Sequence, residues 1–229
     1  LAADCGSSNV AIGREALVGC TGDYNVAVGS TAGDAITSGV QNTAVGHGSL
    51  GGTDTGHYNV AIGTSALQAD CVDNNTAVGK SALYNFTGSD ATAVGFQAAD
   101  AATSAANLTA VGFNAAGSVT DSDDHTAVGD NALASCTTGA QNTAVGSNAA
   151  FALTGNSNVM LGMNAGYYAT TTDDCVAIGR NAFLGSSGNT TGNQNIAIGS
   201  YCLDSATSAT ENVAIGAYAG TAISSGNYN

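Results

Sequence analysis

The fold is decided by one short stretch, Asn75-Thr76-Ala77-Val78-Gly79, which Lys, Ser, Ala and Leu follow. With few exceptions the same word recurs 13 times: Asn, Val or Thr, Ala, Val or Ile, then Gly, and an Ala three residues further on. Its clearest copies run from Asn9 to Gly13, Asn25 to Gly29, Asn42 to Gly46, Asn59 to Gly63 and Asn75 to Gly79, and later signature glycines include Gly146 and Gly216. Signature glycines are 16 or 17 residues apart, except for one interval of 20. We interpret the long interval as a loop insertion at 185–193.

The period and the residue types favour a parallel β-solenoid. A unit of 16 or 17 residues is too short for the two helices of common helical repeats. Val, Ile and Thr at alternate positions favour strands. Two short strands and two turns would use up about 16 residues, so each repeat is expected to form one turn of a flattened coil. The sequence therefore predicts an all-β chain, one solenoid domain over 1–229, with about 13 turns stacked at roughly 4.8 Å.

Each position of the word has an expected role. The β-branched pair is expected to fill the coil interior, so the Ala between them would face outward. So uniform a small residue suggests close packing against another chain, and we interpret the Ala column as a hint of an oligomer axis, with tight packing inside the coil as the alternative. The Gly is expected to have a positive φ or to allow a close backbone approach. The Asn, present in nine of the 13 copies, is expected to form a stacked ladder or an Asx turn.

The word resembles the Asn-Ser-Val-Ala-Ile-Gly repeat of YadA-like head domains in trimeric adhesins. It is still more similar to the Asn-Thr-Ala-Val-Gly arrays of phage tail fibres and related surface-fibre proteins, best seen at residues 75–85. The resemblance covers essentially the whole chain. It implies a left-handed parallel β-roll, usually a homotrimer, on the surface of a cell or virion.

Composition excludes several classes of partner. The chain has 3 Lys and Arg against 17 Asp and Glu, a net charge of −14. Three cations cannot supply the basic surface that nucleic acids or anionic membranes require. No apolar run is long enough to span a membrane as a helix. We therefore expect neither nucleic-acid binding nor membrane insertion.

The six cysteines suggest disulfides in an oxidising compartment, since no Cys-x-x-Cys metal motif occurs. Cys5 and Cys20 occupy the same turn of adjacent repeats, about 5 Å apart, and are predicted to form an intrachain bridge. Cys71 and Cys136 lie in that turn but four repeats apart, too far to bond to each other. Cys175 replaces the motif Asn, whereas Cys202, one repeat further on, replaces the motif Ala. These four would link subunits or stay buried and reduced.

Other polar and aromatic residues suggest weaker sites. Acids cluster between the words, at Asp70 and Asp73, at Asp121, Asp123 and Asp124, and at Asp173 and Asp174. We interpret them as solvated turns, with a Ca²⁺ site as a weak alternative because Ca²⁺ needs six or more oxygens. His47, His57 and His125 have no nucleophile and acid at catalytic spacing and are expected to have surface roles. Tyr84, Phe151 and Tyr167 each lie five residues after a signature Gly, which favours stacking, although exposed aromatics could bind sugars.

The leading hypothesis is a non-catalytic structural or adhesive fibre subunit, extracellular or on a virion. It would assemble with itself, as a head-to-tail filament or a homotrimer, and present its turns for contact with cell-surface glycans. The first word begins at residue 9 and 13 residues follow the last Gly, so we expect a longer array or end-to-end stacking. The first alternative is ice binding through Thr ladders, disfavoured because these Thr share the position expected to face inward. The last alternative is a solenoid enzyme that acts on polysaccharides, which is disfavoured because the chain has few cationic residues.

Overall fold

A computed structural model describes residues 5–185 and 190–228. In that part of the chain there are 13 strands of three residues each and no helix. The strands are parallel and form a β-solenoid, which confirms the predicted fold class. Residues 186–189 of the predicted insertion at 185–193 lie outside the described residues, and Thr190 forms a parallel bridge with Ala169.

The chain divides into two compact units, residues 1–110 and 111–229, and the single-domain interpretation stays a prediction. Unit 1 contains β1 (Val10–Ile12), β2 (Val26–Val28), β3 (Thr43–Val45), β4 (Val60–Ile62), β5 (Thr76–Val78) and β6 (Thr92–Val94). The boundary falls within β7 (Thr109–Val111). Unit 2 contains β8 (Thr126–Val128), β9 (Thr143–Val145), β10 (Val159–Leu161), β11 (Val176–Ile178), β12 (Ile196–Ile198) and β13 (Val213–Ile215).

Within each unit the strands pair in sequence order and in identical register. In unit 1, Val60, Ala61 and Ile62 of β4 pair with Thr76, Ala77 and Val78 of β5. The signature Gly extends this ladder, since the N–H of Gly79 donates to the carbonyl of Ile62 at 2.7 Å. Repeats of 16 and 17 residues keep the same register, so the turns absorb the difference in length.

Each coil turn contains one strand, whereas two were expected. After the strand, the N–H of Ala82 donates to the Gly79 carbonyl at 3.3 Å, and the N–H of Phe86 donates to the Leu83 carbonyl at 3.2 Å. These are two successive β-turns, and they contain left-handed residues, Ser81 with φ 58° and Leu83 with φ 50°. Left-handed backbone interrupts an extended strand, which is why no second strand forms. The turns still stack, since the N–H of Leu83 donates to the Ala98 carbonyl of the next repeat at 3.0 Å.

The strands face the opposite way from the prediction. In β5, Ala77 is buried, whereas Thr76 and Val78 are partly exposed, and β2 to β12 share this pattern apart from the degree of outward exposure. The expectation that the β-branched pair fills the interior, and that the Ala column marks an oligomer axis, is therefore wrong. The reason is the width of the coil. Ala82 and Leu83 of the first turns are fully buried, which leaves room for only a methyl group on the strand.

Side-chain volumes inside a repeat compensate for one another. Met160 is the one large residue in the central column, and its partner position four residues after the signature Gly is Gly166. A Cβ on Gly166 would lie 2.6 Å from the Met160 sulfur. The glycine therefore provides the space that the methionine fills.

Two predicted features of the backbone require glycine at the signature position: a positive φ and the close approach of the next repeat. Gly46 has φ +133° and Gly63 has φ +133°, in the region that L-residues with a side chain rarely adopt. A Cβ on Gly46 would also lie 2.6 Å from the carbonyl oxygen of Gly63. Each repeat approaches the next too closely at this point for any side chain.

Candidate functional site

Within each unit, the outward residues of the strands form a largely apolar surface, which we call the aliphatic face. It consists of the first and third residues of each strand. The third residue is Val, Ile or Leu in all 13 strands, and the first is Val, Ile or Thr. Ile62 is 40% exposed and Val145 38% exposed, so the face is open to solvent in both units.

Further large apolar side chains are exposed directly after the signature glycine. Phe96 in unit 1, and Phe113 and Met163 in unit 2, are 42%, 50% and 46% exposed. The sequence analysis missed these residues because it examined the word and not the variable positions beside it. Several exposed apolar side chains next to an apolar sheet face are typical of a surface that associates with another molecule.

The motif asparagines form the predicted stacked ladder. The Oδ1 atom of Asn42 accepts the backbone N–H of Asn59 at 2.9 Å, and its Nδ2 donates to the Gly56 carbonyl at 2.8 Å. In unit 2, Asn142 makes the same bonds with the N–H of Asn158 at 3.0 Å and the carbonyl of Gly155 at 2.8 Å. These asparagines are buried, so each satisfies backbone groups that water cannot reach.

His125 stands in this ladder and is buried, which overturns its expected surface role. Its Nδ1 accepts the N–H of Asn142 at 3.3 Å, while its Nε2 has no hydrogen-bond partner within the described part of the chain. Burial lowers the pKa of His125, against the raising effect of the Gly139 and Asn142 backbone and of Asp123 and Asp124. The histidine is therefore held neutral in a site that asparagine fits better.

A second ladder, which the repeat motif itself does not reveal, lies two residues before the motif Asn position in several repeats. There an acidic, amide or imidazole side chain accepts the backbone N–H of the preceding repeat. Asp73 accepts the N–H of His57 at 2.7 Å, His57 Nδ1 accepts that of Val40 at 3.0 Å, and Asp173 accepts that of Asn156 at 2.7 Å. The recurring Asp, Asn or His at this position was the available signal. His47 is exposed, as expected.

The acidic clusters have structural roles in the turns. Asp70 accepts the N–H of Asp54 at 3.1 Å, and Asp121 accepts the hydroxyl of Thr120 at 3.0 Å. Across residues 5–185 and 190–228, no three His, Cys, Asp or Glu residues are grouped so that they could hold a metal ion. Nothing in the turns therefore adds to the weak case for Ca²⁺.

All six cysteines are free thiols, so the predicted Cys5–Cys20 bridge is not formed in this structure. The two residues are nevertheless in side-chain contact, and burial raises the pKa of the Cys20 thiol. Cys71, Cys136, Cys175 and Cys202 are also buried. Burial raises the pKa of the first three thiols to about 11 and that of Cys202 above its usual range. Links between subunits through these four would require local opening of the coil and stay a prediction.

Aromatic side chains stack between neighbouring repeats in unit 2. The rings of Phe151 and Tyr167 are parallel within 6° at 5.0 Å, as their common position predicts. Tyr201 and Tyr218, two residues after their glycines, stack at 5.3 Å, and the Arg180 guanidinium lies 4.9 Å from the Tyr201 ring. These stacked rings join neighbouring repeats, as the notion of an aromatic ladder predicts.

Comparisons with known proteins find no matching family model and no similar curated protein or solved structure. A search for apolar helices of membrane-spanning length finds none in residues 5–185 and 190–228. A function must therefore be inferred from the fold and from the surfaces described above.

Proposed function

We propose that this protein is a structural subunit of a surface fibre, extracellular or on a virion, that assembles with copies of itself through the aliphatic face. The observation that carries the proposal is the outward Val, Ile and Leu column. The strands keep their β-branched residues out of the coil interior, where the central residue is Ala in every strand except β10, which has Met160. Such an arrangement is costly for a solitary chain in water and favourable when the face is covered.

A second copy of the chain fits this face better than another occupant. Each unit presents twelve outward side chains from the six strands that lie wholly in it, in one flat column of the kind that a partner can cover. A column that repeats the same residue types in every strand is also complementary to itself. This geometry supports side-by-side association, of which the homotrimer is the case implied by the resemblance. A head-to-tail filament would use other surfaces.

The oligomeric state of matched variants tests the proposal. We expect the wild type to sediment as an oligomer, and Val94→Lys with Val145→Lys on the face to shift it to the monomer. Val18→Lys with Val72→Lys is the control, because these valines are 53% and 52% exposed but lie outside the face. A monomeric wild type, or equal loss of assembly in both pairs, would overturn the proposal.

The surface location and contact role extend the same proposal. Variable turns are the part of each repeat that the ladders leave available, so they are the surface that would meet a cell. The acidic net charge of −14 argues against nucleic acid as a partner. Immunogold labelling of intact cells or virions with an antibody to this chain tests the location, and labelling only after lysis would contradict it.

Ice binding is a second candidate, and the structure strengthens it. The sequence analysis disfavoured it because the Thr were expected to face inward. Instead, Thr43, Thr76 and Thr92 in unit 1, and Thr126 and Thr143 in unit 2, point outward and are partly exposed. Thermal hysteresis in a solution of the protein would support this function, particularly if Thr92→Lys with Thr126→Lys abolished it. No hysteresis at all would exclude it.

A further inference from the structure

A surface cleft in unit 2 has features that the assembly proposal does not use. It is lined by Asn148, Asn164, Tyr167, Tyr168, Asn181 and Leu184, and its volume is about 410 Å³. This volume lies at the lower end of the range for small-molecule sites. The geometry points to a binding site for a neutral oligosaccharide in this cleft. The inference names a ligand class for the turns that the proposed function assigns to contact, and it rests on that function only for its biological use.

One side of the cleft is a column of amides. Asn148, Asn164 and Asn181 each lie two residues after a signature Gly, in the left-handed conformation with φ 55° to 56°. Their backbone N–H groups bond to the preceding repeat, as from Asn164 to the Ser147 carbonyl at 3.0 Å, which fixes the spacing of the column. The amides are therefore held in place by the coil itself.

These amides keep hydrogen-bonding capacity for a ligand. Nδ2 of Asn164 donates to Oδ1 of Asn181 at 3.1 Å. That bond uses one donor hydrogen and one acceptor lone pair, and an amide has two of each. A sugar hydroxyl is both a donor and an acceptor, so it matches neutral groups that offer both.

The other residues of the cleft supply rigid aromatic surface. Tyr167 stacks on Phe151 at 5.0 Å and meets Tyr168 edge to face, with ring centroids 4.6 Å apart. The electron-rich face of a tyrosine attracts polarised C–H groups. A pyranose ring has one face of such C–H groups and a rim of hydroxyls, so it can contact tyrosine and amide together.

The charge of the lining selects a neutral ligand. None of the six lining residues carries a carboxylate or a cation at neutral pH, and the chain as a whole has a net charge of −14. The net negative charge of the chain disfavours an anionic ligand, and an apolar ligand would dehydrate the amide donors and acceptors that the amides do not use among themselves. A hydroxyl-rich, uncharged molecule avoids both costs.

Unit 1 does not combine an Asn column with two adjacent tyrosines, and it serves as an internal comparison. The positions matching Asn148, Asn164 and Asn181 are Glu15, Thr31, Gly48, Ser65, Ser81 and Gln97. The left-handed backbone permits Asn in this column, as at Asn114 and Asn131, but the matching unit 1 residues are left-handed as well, so the backbone alone does not select Asn. The backbone does not account for two adjacent tyrosines that share a cleft with the amides.

Saturation-transfer NMR and calorimetry with lactose, maltotriose, mannotriose and chitotriose, and with sialyllactose as the anionic match to lactose, test the site. We expect at least one neutral sugar to bind with a Kd on the order of 1 mM or tighter. Asn164→Gly with Asn181→Gly should weaken it at least tenfold, because glycine keeps the left-handed backbone and removes the amides. Tyr168→Ala should do the same.

Two matched controls keep the test specific. Asn114→Gly changes the same amide column outside the cleft, and Tyr84→Ala removes a tyrosine at the unit 1 position that matches Tyr167. Both should bind as the wild type does. Binding of none of the four neutral sugars, equal loss in the controls, or equal binding of sialyllactose would overturn the inference. Sedimentation of the same samples shows whether assembly has failed, so a lost site and a lost oligomer are distinguishable.

Discussion

Single residues in the buried ladder set how well neighbouring repeats are joined. Asparagine fits because one side chain accepts the next repeat's N–H and also donates to a carbonyl. His125 keeps the acceptor but leaves Nε2 without a partner in the described structure. An unsatisfied buried group costs free energy, so this repeat is a weak point of the ladder.

We predict that His125→Asn stabilises the protein, by about 1 kcal/mol near neutral pH. Burial lowers the pKa of His125 in the folded chain, so the unfolded chain takes up the proton first as pH falls. The wild type should therefore lose stability as pH falls below about 6.5, and the variant should lose less. Urea unfolding at several pH values measures both effects, with the exposed His47→Asn as the control. An unchanged pH dependence would contradict the argument.

The contact between Cys5 and Cys20 leads to a second residue-scale prediction. Mild oxidation should join them, which peptide mass mapping would detect, and Cys71 should stay reduced because it is buried with a pKa of about 11. Closing a loop of this length stabilises a chain by about 3 kcal/mol. Cys5→Ser should remove the stabilisation. Recovery of both thiols unmodified after oxidation would show that the pair cannot adopt disulfide geometry.

The sequence predicted the strand that each repeat forms, but it also predicted a second strand that does not form and the opposite facing of the first. The word placed every strand, and the Asn ladder and the glycine geometry followed from residue types. The facing was wrong because Val-Ala-Val is apolar on both faces, so alternation does not say which face is inside. What decides it is the narrow interior, which the two turns create. Those turns place Leu83 and similar residues in the left-handed region, where leucine is rare, so the residue types do not predict them.

At the scale of one coil turn, the signature glycine should tolerate no substitution. Gly63→Ala would bring its Cβ within 2.6 Å of the Gly79 carbonyl group, backbone that cannot move aside. We expect a loss of about 3 kcal/mol or more, or failure to fold. Gly19→Ala is the control, because Gly19 also has a positive φ but open space around it. Its loss should be near 1 kcal/mol. Thermal melts compare the two, and equal losses would refute the role of the close approach.

The Met160 and Gly166 pair predicts a compensating double substitution. Gly166→Ala alone should destabilise, because its Cβ meets the Met160 sulfur, and Met160→Ala alone should leave a cavity costing about 2–4 kcal/mol. Together they reproduce the all-alanine interior of the β6 repeat, where Ala93, Ala99 and Ala102 are buried. A double-mutant cycle should give a favourable coupling of about 1–2 kcal/mol. Additive losses would mean that the two sites are independent.

At the scale of the whole molecule, net charge and apolar surface have opposite effects on association between copies of the chain. Seventeen acidic residues against three cations give the chain a large negative charge, so copies that associated through the aliphatic face, as proposed, would bring like charges together. Salt screens the repulsion and leaves the apolar contact intact.

Self-association should therefore strengthen with ionic strength. We expect the dissociation constant to fall roughly tenfold when NaCl is raised from about 0.05 M to about 0.5 M, because the Debye length shortens severalfold. Sedimentation equilibrium across that range measures it. Association that weakens with salt would point to attraction between charged groups in place of the aliphatic face.

The repeated hydrogen bonds between one coil turn and the next have a genetic consequence. Most repeats offer the same Asn acceptor and donor to their neighbours, and the volumes of Met160 and Gly166, which must match, lie within one repeat. A DNA segment encoding one whole repeat could be deleted or duplicated by recombination. The two repeats that then become neighbours would form the same kind of hydrogen bonds as the previous neighbours. The number of repeats, and with it the number of displayed turns, is thus open to change in single steps without redesign of the fold.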